Sequence, residues 1–258
     1  MTLEVLLATM NQQNDSVLDY MKVSSDCVVC NQIKEIFNHK SYKKNNYNVE
    51  WYNLTEKGVG LNRNNALMRS KADICLIADD DVEYVDGYDR LIIREFEDHP
   101  EADMILFNVQ DYGYQVTKFE RIRKHNCGRF GGVRIAFRRM AVLKYAVSFN
   151  LLFGGGAPFS AGEDNMFIRD AIRKGLKVYA SPLTILRLNN ERESTWFTGY
   201  NKKFFSDMGS SYVFHYGKLA SLCVFIQLIR HRNIFLKNVS FIYAYKKALE
   251  GIRIFNDL

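Results

Sequence analysis

The sequence has 258 residues, of which 47% are hydrophobic and 25% charged, and a formal net charge of +6. A chain of this length can bury a substantial core as one large domain with an appendage, and with only three prolines it is neither collagen-like nor broadly disordered. With five cysteines in a chain this long, the sequence is not a small disulfide scaffold. The odd number of cysteines and the lack of a signal-sequence pattern after Met1 predict a reducing, cytoplasmic location.

Strand-like and helix-like stretches alternate through the first 110 residues, which predicts β-α-β units and a mostly parallel sheet. We expect strands over residues 3–8, 27–30, 49–52, 74–78, 104–107 and 177–180, and helices after residue 14, over 61–69, over 163–174 and within 200–256. Residues 42–47 are interpreted as a solvated loop and 110–160 as a lid. The predicted domains are 1–200 and a helical extension, 201–258.

Positive charge is concentrated near the C-terminal end. Residues 215–258 contain seven lysines and arginines against Glu250 and Asp257, so they hold five of the six net positive charges. Their longest apolar run, residues 219–229, falls short of the ~20 residues that span a bilayer. We therefore expect this segment to bind an anionic membrane surface peripherally, on the inner face of the cell membrane. The alternative is a protein partner or a homodimer.

Three consecutive aspartates, Asp79, Asp80 and Asp81, directly follow a predicted buried strand. In open α/β sheets, ligands bind outside the carboxyl ends of the strands. Packed carboxylates need a cation, and Mg²⁺ or Mn²⁺ takes carboxylate oxygens together with substrate phosphates. The triplet therefore predicts a site for a metal and a diphosphate. The alternative is a solvated acidic turn before the next helix.

Two further segments carry charged residues at predicted helix starts. Arg63 lies in residues 60–66, where a cation and backbone N–H groups could meet a phosphate. Glu163 and Asp164 open the predicted helix 163–174, where acids can also simply complement the helix dipole. Taken alone, Arg63 can equally be a surface residue.

Together and in this order, these segments resemble the family-two glycosyltransferases of the GT-A fold, over about residues 3–200. Residues 3–11 are similar to that family's first strand and nucleotide-contacting loop, and 60–66 to its Arg-Asn segment. Residues 77–82 resemble its strand ending in Asp-x-Asp, and 162–164 its Glu-Asp pair. Residues 135–139 and 193–197 look closest to bacterial enzymes that build capsule or other surface polysaccharides.

The resemblance implies an α/β protein with a mostly parallel central sheet flanked by helices. It implies an inverting, metal-dependent transfer of a sugar from a nucleotide-diphospho-sugar, with UDP as the expected nucleotide, to a hydroxyl of a glycan or lipid-linked acceptor. Asp164 is the implied catalytic base; its helix N-terminus would lower its pKa, and we expect Glu163 or burial to offset that effect. The other implied roles are nucleotide binding by Thr9, Asn11, Gln32, Arg63, Asp79 and Asp80, binding of Mn²⁺ or Mg²⁺ by Asp81 and Asp79, and contact with the acceptor or sugar by Glu163 and Trp196.

Some features depart from the family pattern. Asn31 and Gln32 follow the second predicted strand, where many relatives carry an aspartate. No histidine occurs near residues 194–196, and no Gln-x-x-Arg-Trp occurs, which argues against a processive synthase. Cys27 and Cys30 should face opposite sides of their strand and cannot share a metal.

The sequence leaves other classes of function open. No recognised nucleic-acid-binding module is present, so no nucleic-acid partner is expected. A non-catalytic nucleotide-sugar-binding or scaffold subunit of a polysaccharide assembly complex is the main alternative. A further alternative is a metal-dependent phosphotransferase or phosphatase with Asp79 or Asp81 as nucleophile. Enzymes of the haloacid dehalogenase type, which work in this way, normally carry a threonine at the position of Glu83.

Overall fold

A computed structural model of the chain describes residues 1–34, 37–189 and 199–258. The described residues form two compact units. The first comprises those within Met1–Leu151 and Glu163–Glu193, and the second those within Leu152–Gly162 and Ser194–Leu258. The sequence-based division at residue 200 assigned residues 152–162 to the first domain, whereas in the structure this segment groups with the C-terminal helices.

The first unit is built on a mixed sheet that has ten strands among the described residues. The strands are β1 Leu3–Met10, β2 Asp26–Gln32, β3 Asn38–Lys44, β4 Tyr47–Leu54, β5 Ile74–Asp79, β6 Val82–Tyr84, β7 Met104–Gln110, β8 Glu120–Arg121, β9 Ile135–Arg138 and β10 Val178–Leu188. The helices of this unit are α1 Ser16–Tyr20, α2 Val59–Arg69, α3 Tyr88–Asp98, α4 Arg139–Lys144 and α5 Glu163–Arg173.

The strand order is β3-β4-β2-β1-β5-β9-β7-β10-β6, with β8 paired to β10. Strands β4, β2, β1 and β5 are mutually parallel, as the alternating pattern predicted. Both faces of these strands are buried: in β1, Val5 and Leu7 belong to the core on one face and Leu6 to the core on the other. Strands covered by helices on both faces need apolar residues at every position, which explains the continuous apolar runs. The predicted α/β fold class is confirmed.

The two cysteines of β2 also behave as predicted. Cys27 lies in the core of one face of the sheet and Cys30 in the core of the other, so the two thiols point away from each other. Burial raises the pKa of both thiols, that of Cys30 to about 12. These cysteines therefore act as small apolar core residues.

Two parts of the sheet differ from the sequence-based expectation. Residues 42–47, interpreted as a solvated loop, instead end β3 and begin β4, joined by a tight turn in which Asn45 has a φ of +51°. That interpretation was wrong because a basic, tyrosine-rich edge strand has no continuous apolar run. Strand β9 lies between β5 and β7 and is antiparallel to both, so the segment expected to form a lid contributes a central strand.

The second unit is helical. Its helices are α6 Lys202–Tyr216, α7 Ala220–Arg230, α8 Arg232–Phe235 and α9 Phe241–Asn256. Helices α6 and α9 cross with their backbones in contact: a Cβ added to Gly209 would lie 1.9 Å from the carbonyl oxygen of Ala248, and one on Gly251 1.8 Å from that of Ser206. The Ser210 hydroxyl donates to the Gly251 carbonyl at 2.9 Å across the same crossing.

Candidate active site

Polar side chains collect at the carboxyl ends of the four parallel strands. Thr9, Asn31, Asn53 and Asp79 lie at or near the ends of β1, β2, β4 and β5 respectively. Because these strands are neighbours, their ends form one continuous edge. This is the position at which an open α/β sheet binds its ligand.

Thr9 and Asp80 are joined directly at this edge. The Thr9 hydroxyl donates to Asp80 Oδ2 at 2.6 Å, and the Gln12 side-chain amide donates to the same carboxylate oxygen at 2.9 Å and to Thr9 Oγ1 at 3.1 Å. The sequence predicted Thr9 and Asp80 as nucleotide-binding residues, and the structure brings them together. Gln12 completes this group and was not predicted, since an isolated glutamine in a loop carries no pattern.

Asn31 extends the group toward β4. Its side-chain oxygen accepts from the Gln12 backbone N–H at 3.0 Å, while its amide donates to the Gln12 carbonyl at 2.9 Å and to Asn53 Oδ1 at 2.8 Å. Trp51 Nε1 donates to the same Asn53 oxygen at 2.9 Å. The side-chain amide of Asn31 is fully buried and holds the loop after β1 in place.

The other two predicted nucleotide contacts in this region lie nearby. Asn11 is exposed in the turn after β1, with a φ of +57°, and its backbone N–H donates to the Gln32 carbonyl at 2.9 Å. The Gln32 side-chain oxygen accepts from the Gly58 N–H at 3.1 Å, which holds the start of α2. Their contact with a nucleotide stays a prediction.

Arg63 is the centre of the second group of charged residues. It is 1% exposed, and its guanidinium contacts three carboxylates. Nη2 donates to both Asp79 oxygens, at 2.8 and 3.0 Å, and Nη1 donates to Glu163 at 2.9 Å and to Asp164 at 2.6 Å. The sequence predicted that Arg63 binds the nucleotide; in the structure, its Nη1 and Nη2 groups hold the carboxylates at the end of β5 and the start of α5.

The backbone around Arg63 is held by close packing of α2. Asn64 exchanges two hydrogen bonds with the Phe149 backbone, at 2.8 and 2.9 Å, and the Arg63 guanidinium lies 5.3 Å from the centre of the Phe149 ring. Gly60 permits this approach, because a Cβ there would lie 2.7 Å from the carbonyl oxygen of Asn150. A glycine at this position of the helix is therefore required by packing.

The surroundings of Asp164 shift its ionisation. Its Oδ1 accepts from Arg63, and its Oδ2 accepts from the Gly132 N–H at 2.9 Å. Burial raises the pKa of Asp164 to about 7, aided by the neighbouring charges of Glu163 and Asp79 and opposed by Arg63 and the Gly132 N–H. The expected offset by burial and Glu163 thus agrees with the structure. A base with a pKa near the working pH is the most effective proton acceptor.

The predicted metal ligands Asp79 and Asp81 have different surroundings. Both oxygens of Asp79 accept from Arg63, so direct coordination would require displacement of the guanidinium. Asp81 is partly exposed in the turn between β5 and β6, and its backbone carbonyl accepts from the Asn189 N–H at 2.8 Å. Among residues 1–34, 37–189 and 199–258, no three His, Cys, Asp or Glu side chains are grouped as a metal site. Mg²⁺ can be held by a single carboxylate plus substrate phosphates, so Asp81 fits such an ion and Asp79 fits a supporting role.

Glu163 and Trp196 were predicted to contact the acceptor or the sugar. Glu163 is buried against Arg63, and its contact with a sugar stays a prediction. Trp196 lies outside the described residues.

A mixed sheet of this order, with acidic residues at the carboxyl ends of its parallel strands, is the GT-A fold of glycosyltransferases. Residues 34–175 match Glycosyl transferase family 2, and the chain belongs to this family of enzymes. No curated protein matches the sequence.

Solved structures of TarS from S. aureus are similar in fold. TarS 1–349 in complex with UDP-GlcNAc has a TM-score of 0.65 and 14% identity, with 96% of this chain and 80% of that chain covered. TarS 1–349 in complex with UDP has a TM-score of 0.62 and 13% identity, covering 98% and 81%. For the longer TarS chain the values are 0.59 and 13%, covering 92% and 45%.

Proposed function

We propose that this glycosyltransferase moves a sugar from a UDP-sugar to a hydroxyl of a glycan or lipid-linked acceptor in surface polysaccharide synthesis, with inversion at the anomeric carbon. The observation that carries the proposal is the convergence of Asp79, Glu163 and Asp164 on the buried Arg63. This contact joins the acidic strand end to a candidate base. The similar fold of TarS in complex with UDP-GlcNAc and with UDP supports the choice of donor.

In this proposal Asp164 accepts the proton from the acceptor hydroxyl. Arg63 and the Gly132 N–H fix the orientation of its carboxylate, and Oδ2 retains a lone pair for the incoming proton. The oxygen of the hydroxyl forms a bond to the anomeric carbon while the bond to the diphosphate oxygen breaks on the opposite face. A single displacement of this kind inverts the configuration.

The strand-end groups hold the donor. Thr9, Gln12 and Asp80 form a hydrogen-bonded set suited to the ribose or base, and Asp81 would hold Mn²⁺ or Mg²⁺ against the phosphates. Such an ion, when bound, stabilises the negative charge that develops on the departing nucleoside diphosphate. Asp79 acts through Arg63, which it fixes in position.

The experiment is nucleotide binding and turnover in wild type and Asp164→Asn. With Mn²⁺ and UDP at a hundredfold excess over its Kd, binding should stabilise both proteins by about 2.7 kcal/mol, measured as a rise in Tm. UDP release from a panel of UDP-sugars, with glycan acceptors added to receive the sugar, should fall about 10²- to 10⁴-fold in Asp164→Asn, because a general base contributes that much.

The matched control is Asp170→Asn on the same helix, where the carboxylate pairs only with Lys174 among the described residues, at 2.9 Å. This variant should keep both binding and turnover. UDP release that is as fast in Asp164→Asn as in wild type would contradict the role of Asp164. UDP binding by wild type without UDP release from any UDP-sugar, both with water as the only acceptor and with added glycan acceptors, would contradict transfer and favour a non-catalytic scaffold subunit. Absence of a Tm shift with UDP in the presence of Mn²⁺ would contradict the proposed donor.

A further inference from the structure

Helix α7 of the second unit is apolar on two opposite faces. Ala220, Val224 and Leu228 recur every four residues and are buried. The other apolar face consists of Leu222, Phe225, Ile226 and Ile229, which are exposed by 54, 37, 47 and 40%. A helix at the surface of a water-soluble protein normally carries polar residues on that second face.

Positive charge flanks this exposed apolar face, and acidic residues are absent from it. Lys218 precedes α7 by two residues, Arg230 ends it and Arg232 follows; all three are exposed and have no ion pair with the described residues. The sequence contains no aspartate or glutamate between Asp207 and Glu250. The surface is therefore complementary to a negatively charged partner.

The path of the chain favours a helix that lies on a membrane. Lys202–Arg230 is, within the described part of the chain, the single stretch long and apolar enough to cross a membrane by length and composition. However, the chain turns at Gly217, where φ is +55°, and this turn separates α6 from α7. The 11 residues of α7 extend only about 16 Å, roughly half of the ~30 Å hydrocarbon core.

We propose that the exposed face of α7, with Lys218, Arg230 and Arg232, binds the surface of an anionic lipid bilayer, with the helix parallel to the membrane plane. Leu222, Ile226 and Ile229 insert at the level of the acyl-chain boundary, while the ring of Phe225 stays packed against Phe241 and Tyr245. The basic side chains contact headgroup phosphates. A second copy of this chain is a poorer occupant, because self-association through this face would bring unpaired cations together without acidic residues. This inference is independent of the reaction proposed for the first unit.

The experiment is co-sedimentation of the full chain with vesicles of phosphatidylcholine alone or mixed with phosphatidylglycerol. Wild type should sediment with the anionic vesicles and dissociate as the salt concentration rises. Leu222→Asp/Ile226→Asp should weaken this binding by more than about tenfold, because it removes inserted apolar area and adds repulsive charge.

The matched control is Met68→Asp/Met140→Asp, which adds the same charge at two exposed methionines of the first unit and should bind vesicles to nearly the wild-type extent. A second variant, Lys218→Gln/Arg230→Gln/Arg232→Gln, should lose the preference for phosphatidylglycerol while its thermal unfolding stays that of wild type. Equal loss of binding in the test and control aspartate variants would overturn the proposal. Failure of wild type to bind anionic vesicles at low salt would also overturn it, as would a wild-type dimer that Leu222→Asp/Ile226→Asp converts to a monomer.

Discussion

Arg63 is a single buried cation shared by three carboxylates. Burial of a charged group is costly unless ion pairs and hydrogen bonds compensate for it, and here Asp79, Glu163 and Asp164 provide that compensation. One positive charge cannot fully stabilise three negative ones, and burial further disfavours the ionised form of Asp164. The pKa of Asp164 is therefore raised to about 7, although the residue stands at a helix N-terminus.

This balance predicts the pH dependence of turnover. As the proposed base, Asp164 must be ionised to accept a proton, so kcat/KM should rise with pH through about 7 in wild type. Glu163→Gln removes a neighbouring negative charge that raises the pKa of Asp164, so the midpoint should move to lower pH. Arg63→Gln removes the cation that lowers this pKa, so the midpoint should move to higher pH.

The same substitution should affect folding. Arg63→Gln leaves the buried Glu163 and the partly buried Asp79 and Asp164 without their cation. It should lower the free energy of unfolding by about 3–5 kcal/mol, measured by urea denaturation at pH 8. Asp170→Asn serves as the control for both measurements. Shifts of the pH midpoint in the same direction for Glu163→Gln and Arg63→Gln would contradict the opposing roles of the two charges.

Close approach of helix backbones explains the glycines that a helix pattern alone would disfavour. Glycine in a helix interior costs about 1 kcal/mol relative to alanine, yet Gly209 and Gly251 stand within α6 and α9. Each glycine lies so close to the backbone of the other helix that a Cβ atom at its position would overlap with a carbonyl oxygen. The crossing of these two helices therefore determines both residues.

Gly209→Ala should destabilise the protein by about 1–3 kcal/mol, because the new methyl group forces α6 away from Ala248. The measurement is the free energy of unfolding in urea. Gly155→Ala is the control in the same unit, since a Cβ there meets no atom within 4 Å. An increase in stability for Gly209→Ala, as helix propensity alone would give, would contradict this packing.

At the scale of the whole molecule, the two units use apolar residues differently. The sheet strands of the first unit are buried on both faces, and four of the five cysteines, Cys27, Cys30, Cys75 and Cys127, are buried in this unit. In the second unit, apolar side chains of α7 and α9 remain exposed, and Cys223 is partly exposed on α7. Thiol accessibility therefore distinguishes the units.

The native protein should react with a thiol reagent such as Ellman's at one cysteine, Cys223, and at all five after denaturation in urea. Cys223→Ser should abolish the fast reaction of the native protein. Fast reaction at two or more sites in the native state would contradict the buried core of the first unit.

The sequence by itself determined the parallel part of the sheet, because its strands are continuous apolar runs, and it pointed to the charged residues that the fold brings together. The segments Asp79–Asp81, Arg63 and Glu163-Asp164 are recognisable as local motifs.

The sequence did not indicate that Arg63 holds the carboxylates. Arg63 and Glu163 are 100 residues apart, and only the neighbouring positions of α2, β5 and α5 bring them together. Gln12 and Asn53 were missed, and Asn31 was given no role, for the same reason: a single amide side chain in a loop or at a strand end carries no pattern, and its hydrogen-bond partners are supplied only by the fold. The two-faced character of α7 likewise required the structure, because helical spacing predicts an apolar face without showing which of two such faces is buried.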